Sequence, residues 1–283
     1  MIKRITLFVV LSIISIVPAL SAAENLDRGV VAILTTNNDV FISWRLLAKD
    51  SPDVSFNILR YKKLDSKPEV ITKKAIADSC NYVDKSGSAD MYYVVQAISN
   101  GRALNTSKPV KATSSSGNYI SIKLNGSYVA QKVGIADFDG DGRLDYLIKQ
   151  PDFNTDPYQQ PGYWKKSEVT YKLEAYNNDG KFMWQYDMGW AIEAGIWYSP
   201  IVVYDLNGDG KAEIFCKAGE GDPREPTGHV KSGPEYLAVL DGMTGKVIKR
   251  IDWPSRDGFE DYNYYCRNLL GIAYLDGKRP HLV

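Results

Sequence analysis

The 283 residues of this chain are 44% hydrophobic and 12% aromatic, which is enough apolar material for one or two well-packed domains. Lysine and arginine together number 34, and so do aspartate and glutamate; this zero net charge, with no basic stripe, excludes a typical nucleic-acid binder. The three cysteines are widely spaced, which excludes a disulfide framework and a zinc pattern.

The first segment is typical of a secretory signal. Lys3 and Arg4 precede an apolar run over residues 5–20, and Ser21-Ala22-Ala23 has the small residues of a cleavage site. We therefore predict a cleavable signal over residues 1–23, a secreted or periplasmic location, and no membrane attachment after cleavage. The alternative is an uncleaved anchor, for which the run is short of the roughly 20 residues that a span needs.

The next segment, residues 24–113, has the pattern of a small β-sandwich and resembles a fibronectin type III module. Alternating runs bounded by turn residues, with Trp44 early and several tyrosines late, are typical of such a module. The predicted strands lie at residues 40–44, 56–61, 81–84 and 91–98. The serine-rich run at residues 113–117 is the predicted linker.

Two acidic loops of nearly identical pattern follow. Each has oxygen-bearing side chains at positions one, three, five and nine, and glycines at positions four and six. These residues are Asp137, Asp139, Asp141 and Asp145 in the first loop, and Asp205, Asn207, Asp209 and Glu213 in the second. The carbonyls at position seven belong to Arg143 and Lys211. This is the ligand spacing of an EF-hand loop, but β-type sequence follows where an EF-hand has a helix.

The spacing predicts that both loops bind Ca²⁺. Carboxylates a few ångströms apart repel one another by roughly 1 to 4 kcal/mol per pair, unless a cation lies between them. Calcium takes about six to eight oxygen ligands, which side chains and a carbonyl of this loop can supply. The alternative is that the loops are acidic turns without a metal.

Residues 119–283 contain an internal repeat. Asp137, Asp145 and Lys149 recur as Asp205, Glu213 and Lys217, and a hairpin with an Asn/Asp/Gly turn follows each set. A third copy opens at residues 271–277 but lacks the second Asp-Gly pair, and with it the expected ion.

Four strands per repeat, with an acidic turn between the first two, indicate blades of a β-propeller. The predicted fold class is therefore all-β: a fibronectin type III-like β-sandwich followed by the first two to three blades of a calcium-binding β-propeller, as an incomplete ring. Because a propeller closes a ring of about four to eight blades, we expect the front part of a longer propeller. A self-associating half-ring is the alternative.

In this order, the segments resemble the rhamnogalacturonan lyases of polysaccharide lyase family 11 over essentially all of the mature chain. The resemblance includes the loop segment Ala136-Asp-Phe-Asp-Gly-Asp-Gly142, which other calcium-binding proteins share, and the more specific segments Gly233-Pro-Glu-Tyr236 and Tyr274-Leu-Asp-Gly277. The resemblance implies an eight-bladed propeller that binds several calcium ions and cleaves the rhamnogalacturonan I backbone of pectin by β-elimination. It assigns no catalytic base within residues 1–283.

Candidate substrate contacts follow from the same resemblance. Lys149 and Lys217 end equivalent strands and are placed to meet a uronate; the alternative is that both are solvated strand ends. Asp152 and Gln131 complete the set, although Pro151 intrudes before Asp152 and the family more usually has asparagine at the position of Gln131. Aromatic rings that either stack on sugars or fill the core are Tyr158, Tyr163, Trp164, Trp190 and Trp197.

The predicted function is a secreted polysaccharide lyase that acts on rhamnogalacturonan I with Ca²⁺, with activity of this chain alone in question. The alternative is a non-catalytic, calcium-stabilised propeller fragment for glycan binding or adhesion.

Overall fold

The computed structural model describes residues 26–114, 119, 121–153 and 166–283. Within these ranges every regular element is a strand except one five-residue helix, which confirms the all-β prediction. The predicted signal at residues 1–23 and the candidate rings Tyr158, Tyr163 and Trp164 lie outside the described residues. No helix of the described part is long and apolar enough to cross a membrane.

The first region consists of two sheets. Its strands are β1 (Val31–Leu34), β2 (Val40–Ser43), β3 (Ser55–Tyr61), β4 (Glu69–Val70), β5 (Asn81–Asp84), β6 (Tyr92–Ser99), β7 (Arg102–Thr106), β8 (Val110–Lys111) and β9 (Thr113–Ser114). One sheet has the order β5-β2-β1-β9, and the other has the order β4-β3-β6-β7 with β8 also paired to β6. The four predicted runs are strands, each within one residue of the predicted bounds.

One hydrophobic core joins these two sheets, so the region is a β-sandwich. Ile42 of one sheet and Phe56 and Tyr93 of the other are buried in it, together with Trp44. The Trp44 ring meets the Phe56 ring edge-on, with centroids 5.3 Å apart. The predicted linker is wrong in its first two residues, because β9 pairs in parallel with β1 and so extends the sandwich.

Two four-stranded antiparallel sheets follow, and each is a simple up-and-down meander. The first contains β10 (Lys132–Ala136), β11 (Asp145–Gln150), β12 (Lys172–Tyr176) and β13 (Phe182–Asp187). The second contains β14 (Ile201–Tyr204), β15 (Glu213–Gly219), β16 (Glu235–Asp241) and β17 (Val247–Asp252). The helix α1 (Tyr262–Cys266) and the hairpin β18 (Ile272–Ala273) and β19 (His281–Leu282) come last.

The two meanders match each other in register, as the sequence repeat predicts. Ala136 pairs with Asp145 in the first sheet, and Tyr204 pairs with Glu213 in the second, so both acidic loops close the same pair of strands. The last hairpin of each sheet also has a register shift at an equivalent place, next to Ala175 and next to Val239. The chain therefore builds the same unit twice.

The two meanders share one core. Buried side chains from both sheets, such as Leu147 and Ile214, pack in the same cluster with Phe138 of the first acidic loop. The Trp184 indole N–H donates to the Gly242 carbonyl at 2.8 Å, which fixes the outer strand of the first sheet to a turn of the second. All three cysteines are free, and Cys216 is buried in this core as predicted.

Candidate metal centre and substrate face

The first acidic loop brings three carboxylates together at the start of β11. Single carboxylate oxygens of Asp137, Asp139 and Asp145 all lie within 4.8 Å of one another. Asp145 is 1% exposed and Asp137 is also buried, so water screens their mutual repulsion poorly. Among the described residues this is the group of acidic side chains arranged to hold a metal ion.

Backbone N–H groups shape this loop around Asp137. Its two carboxylate oxygens accept from the N–H groups of Gly140 and Gly142, each at 2.7 Å. Those glycines have φ angles of 80° and 87°, which side chains rarely allow. The Asp141 carboxylate accepts from Arg143 N–H at 2.7 Å, but Asp141 is exposed and is not one of the three clustered carboxylates.

The second loop has the same hydrogen bonds. The Asp205 carboxylate accepts from the N–H groups of Gly208 at 2.7 Å and Gly210 at 2.8 Å. Asn207 accepts from Asp209 N–H at 2.8 Å, as Asp139 accepts from Asp141 N–H at 3.1 Å in the first loop. Because Asn replaces Asp at the third position, the second loop carries one negative charge fewer.

The ninth residue of each loop is buried at the start of a strand. Asp145 accepts from the N–H groups of Phe138 at 2.8 Å and Asn178 at 2.7 Å, while Glu213 accepts from Leu206 N–H at 3.0 Å. Burial raises the pKa of Asp145 to about 6, and the nearby charges of Asp139 and Asp137 add to this effect. Burial likewise raises the pKa values of Asp137 and Glu213.

These donors fit a calcium ion. All ligand atoms of the first loop are oxygens, which calcium prefers. Its carboxylates are buried and repel one another, so a bound cation would stabilise their charged form. The Arg143 guanidinium turns away from the loop and pairs with Asp179 at 2.7 Å, so this residue can serve the loop only through its carbonyl. The Lys211 ammonium lies 4.0 Å from the Met243 sulfur.

The third acidic turn is built differently. Asp276 accepts from the N–H groups of Lys278 at 2.8 Å and Arg279 at 2.7 Å. The Arg279 guanidinium also donates to the second carboxylate oxygen at 2.9 Å. An arginine of the same turn therefore neutralises this aspartate.

Lys149 is fully buried at the end of β11. Its side-chain nitrogen donates to the carbonyl of Ser199 at 2.9 Å and to the hydroxyl of the same residue, and lies 4.2 Å from the centre of the Tyr171 ring. Burial holds the pKa of Lys149 well below its usual value, and the charge of Lys132 acts in the same direction. The interpretation of Lys149 as a solvated strand end is wrong.

Lys217 occupies the equivalent place on β15 and is only 1% exposed, so the solvated alternative is wrong here too. Unlike Lys149, it has acidic partners: its ammonium lies 2.7 Å from Glu235 and 3.7 Å from Glu193. Sequence reasoning missed both burials because Ser199 and Glu193, which contact these lysines, come from the connection that follows β13 and lie far from either lysine in sequence.

Gln131 and Asp152 lie close to Lys149. Gln131 N–H donates to the Lys149 carbonyl at 2.8 Å, and its side-chain amide donates to the Tyr171 hydroxyl at 3.1 Å. Burial raises the pKa of Tyr171 to about 12, and the charge of the exposed Asp152 contributes. The structure therefore gathers three of the four predicted substrate residues around Tyr171 and leaves Lys217 in the neighbouring sheet.

Two buried carboxylates were not foreseen from the sequence. Glu193 has no exposed surface and accepts from the Tyr262 hydroxyl at 2.7 Å; burial raises its pKa. Glu174 is equally buried on β12 and accepts from the Tyr176 hydroxyl at 2.7 Å and the Gln185 amide at 2.6 Å. Neither residue belongs to a motif, and most of their partners lie far along the chain, so no signal in the sequence identified them.

The candidate stacking rings Trp190 and Trp197 lie between β13 and β14. They are 36% and 45% exposed, so neither is a core residue. The Arg224 guanidinium lies 4.1 Å from the centre of the Trp190 ring and pairs with Asp222 at 2.7 Å. One face of Trp190 is therefore already used within the protein.

Comparison with known proteins adds two family models. One, described as the C-terminal domain of rhamnogalacturonan lyase family 11, matches residues 102–283. The other, described as the beta-sheet domain of rhamnogalacturonan I lyases, matches residues 21–113. Together they cover both the sandwich and the meanders.

Two curated relatives come from Bacillus subtilis strain 168. Rhamnogalacturonan exolyase YesX is 36% identical over 292 residues, which is 92% of this chain and 46% of the relative. Rhamnogalacturonan endolyase YesW is 36% identical over 293 residues, which is 92% of this chain and 45% of the relative. The chain thus spans about half the length of these relatives.

Solved structures of such enzymes have the same fold. A rhamnogalacturonan lyase PL11 from Bacillus licheniformis has a TM-score of 0.81 and 32% identity over 94% of this chain and 49% of that protein. The exotype lyase YesX has a TM-score of 0.77 and 33% identity, covering 94% of this chain and 47% of its own. Since the family model matches more than half of its residues, the chain belongs to rhamnogalacturonan lyase family 11.

Proposed function

We propose that this protein is a secreted rhamnogalacturonan lyase that cleaves the rhamnogalacturonan I backbone of pectin. The observation that carries the proposal is membership of the lyase family, with relatives named for this activity at 36% identity. One relative is named an exolyase and the other an endolyase at the same identity, so the proposal covers cleavage in either mode.

The proposed reaction is β-elimination at a galacturonate. A general base takes the C5 proton, the electrons of the C5–H bond form a C4=C5 double bond beside the carboxylate, and the linking oxygen leaves C4 with its electron pair and is protonated to a hydroxyl of the departing chain. Calcium, when bound near the substrate, supplies positive charge that lowers the energy of the developing carbanion. We assign the base to neither buried lysine, because Lys149 is covered by Ser199 and Tyr171, and Lys217 is held by two glutamates.

We further propose that both acidic loops bind structural Ca²⁺. In the first loop the ligands are the side chains of Asp137, Asp139, Asp141 and Asp145 and the carbonyl of Arg143. In the second loop they are the side chains of Asp205, Asn207, Asp209 and Glu213 and the carbonyl of Lys211. The carboxylates within 4.8 Å in the first loop support this assignment. The extra charge of that loop makes it the tighter site.

The proposed architecture is a cleavable signal at residues 1–23, a fibronectin type III-like module at residues 24–113 and consecutive propeller blades within residues 119–283. The two-sheet core supports the module, and the repeated meanders support the blades. The proposed substrate face carries Asp152, which is exposed, and Gln131 beside it. In this proposal Lys149 and Lys217 support that face from beneath.

A turnover assay tests the lyase proposal. Purified chain is incubated with rhamnogalacturonan I and calcium, and the ultraviolet absorbance of the unsaturated uronate product is followed. We expect a rise that stops on adding a chelator and is absent with unbranched homogalacturonan, the control substrate. No rise from a folded, calcium-loaded sample would defeat the activity for this chain.

The second candidate is a non-catalytic glycan-binding protein stabilised by calcium. The half-exposed Trp190 and Trp197, together with the two covered lysines, favour it. Calorimetry with rhamnogalacturonan oligosaccharides, beside the turnover assay, separates the two candidates. Binding without turnover supports the glycan-binding protein. Loss of binding in Trp197→Ala would place the glycan site at that ring. A folded sample that shows no binding and no turnover would rule out both candidate functions.

A further inference from the structure

Residues 27–29 are fixed to the sandwich. The buried Arg28 guanidinium pairs with Asp50 at 2.6 Å, and the Arg28 carbonyl accepts from Arg45 N–H at 2.8 Å. The Asp27 carboxylate accepts from Gly29 N–H at 2.6 Å, and the Asp27 carbonyl accepts from the Arg45 guanidinium at 3.3 Å. Asp27 therefore moves with the sandwich.

The same residue contacts the first acidic loop. Asp27 N–H donates to the Gly142 carbonyl at 2.8 Å, and from another part of the sandwich the Lys108 ammonium donates to the Asp141 carbonyl at 3.0 Å. The approach is close, because a Cβ added to Gly142 would lie 3.1 Å from the Asp27 nitrogen and 3.2 Å from its Cβ. The sandwich thus donates hydrogen bonds to two successive carbonyl groups of the loop.

The second loop is a natural control for this contact. Gly210 corresponds to Gly142 and has nearly the same φ angle, 90° against 87°. A Cβ added to Gly210 would have no heavy atom within 4 Å among the described residues. The two loops therefore share a backbone conformation but differ in their attachment to the sandwich.

The positions of the Asp141 and Gly142 carbonyls depend on whether the loop is open or drawn together. Without a cation, the clustered carboxylates of Asp137, Asp139 and Asp145 repel one another and favour a more open loop, whereas a divalent ion draws them together. Lys108 acts in the opposite direction, because the empty loop attracts its ammonium more strongly. That effect is small, since Lys108 is exposed and screened by salt.

We propose that the first ion site and the docking of the sandwich form one coupled unit. An ion in the first loop tightens the contact with Asp27, and the docked sandwich raises the affinity of that loop by the same factor, because linkage is reciprocal. This inference rests on the proposed binding of Ca²⁺ by the first loop, and it assigns the sandwich a role in metal binding. The second loop binds its ion without this coupling.

Hydrogen exchange of the Asp27 amide tests the coupling. It is measured on the full chain with calcium and with a chelator, in the wild type, in Asp139→Ala of the first loop, and in Asp209→Ala of the second. We expect calcium to slow exchange at Asp27 by roughly fivefold or more in the wild type and in Asp209→Ala. We expect little change in Asp139→Ala.

Calorimetry on the same samples reports calcium binding independently. A wild type that binds two ions and shows unchanged exchange at Asp27 would overturn the coupling and leave the ion sites standing. A wild type that binds no calcium would overturn the ion sites themselves. Loss of protection in Asp209→Ala equal to that in Asp139→Ala would also overturn the coupling, because it would reflect overall stability. The comparison of wild type with and without chelator still tests the coupling if either variant fails to fold.

Discussion

Replacing Lys149 with methionine should change how stability depends on pH. The folded state holds this amine buried with its pKa well below 10.5, whereas the unfolded chain keeps it protonated up to about that value. Between those two pKa values the unfolded state therefore binds one proton more. The free energy of unfolding of the wild type then rises with pH, by up to about 1.4 kcal/mol per pH unit relative to Lys149→Met.

The variant also loses two hydrogen bonds to Ser199, which costs about 1–3 kcal/mol. That loss is independent of pH, as is the change in packing, so the slope isolates the buried amine. Urea unfolding of both proteins from neutral to alkaline pH measures the slope. Methionine should be most favourable relative to lysine at the lowest pH, and the advantage should shrink as pH rises towards 10.5.

Lys217→Met is the matched comparison at the equivalent strand position. It leaves the buried Glu193 without its cation, whereas Glu235 keeps Arg256 at 2.9 Å, so we expect a loss of about 3–5 kcal/mol near neutral pH. Parallel pH slopes for the wild type and Lys149→Met would refute the reasoning, because they would show that Lys149 is charged in the folded state. A Lys217→Met variant as stable as the wild type would refute the assigned ion pairs.

Three further outcomes are expected. In saturating calcium Asp139→Ala should lower the melting temperature only part of the way to that of the chelated wild type, because it empties the first loop and leaves the second; an ion at a hundred times its Kd adds about 2.7 kcal/mol. Asp276→Ala, in the turn with its own arginine, should leave the effect of chelator unchanged. Gly245→Ala should destabilise more than Gly258→Ala, by about 1–3 kcal/mol in urea unfolding, because its Cβ would lie 2.5 Å from the Trp184 ring while that of Gly258 would meet nothing within 4 Å. Trp184→Ala should cost about 3–5 kcal/mol and lower the near-ultraviolet signal, to which the packed indole of Trp44 still contributes.

Sequence alone predicted the acidic loops well, because their geometry is local. Asp137, Gly140 and Gly142 lie within six positions of one another. A turn that needs positive φ angles usually has glycine at those positions, so the sequence itself indicates the turn. The strands of the sandwich and the hairpins of the meanders were predictable for the same reason, since alternation and turn residues are short-range signals.

The surroundings of the lysines were not predictable, because their partners come from distant connections. Lys149 and Lys217 have the same local pattern, yet one is covered by Ser199 and the other is paired with Glu193 and Glu235. Burial of Glu174 depends equally on tertiary contacts. Periodicity shows which face of a strand a residue occupies, but only the packed neighbours decide how its charge is compensated.

The arginine in the third turn has a consequence for which turns depend on a bound ion. Asp276 has its countercharge on the same polypeptide, through Arg279, whereas in the proposed calcium sites Asp137 and Asp205 take theirs from a bound ion. If the two earlier loops hold calcium as proposed, a chelator should affect those loops and leave the third turn unchanged. Transplanting the arginine-balanced turn into the earlier loops would then replace each proposed ion with a charge of the protein itself.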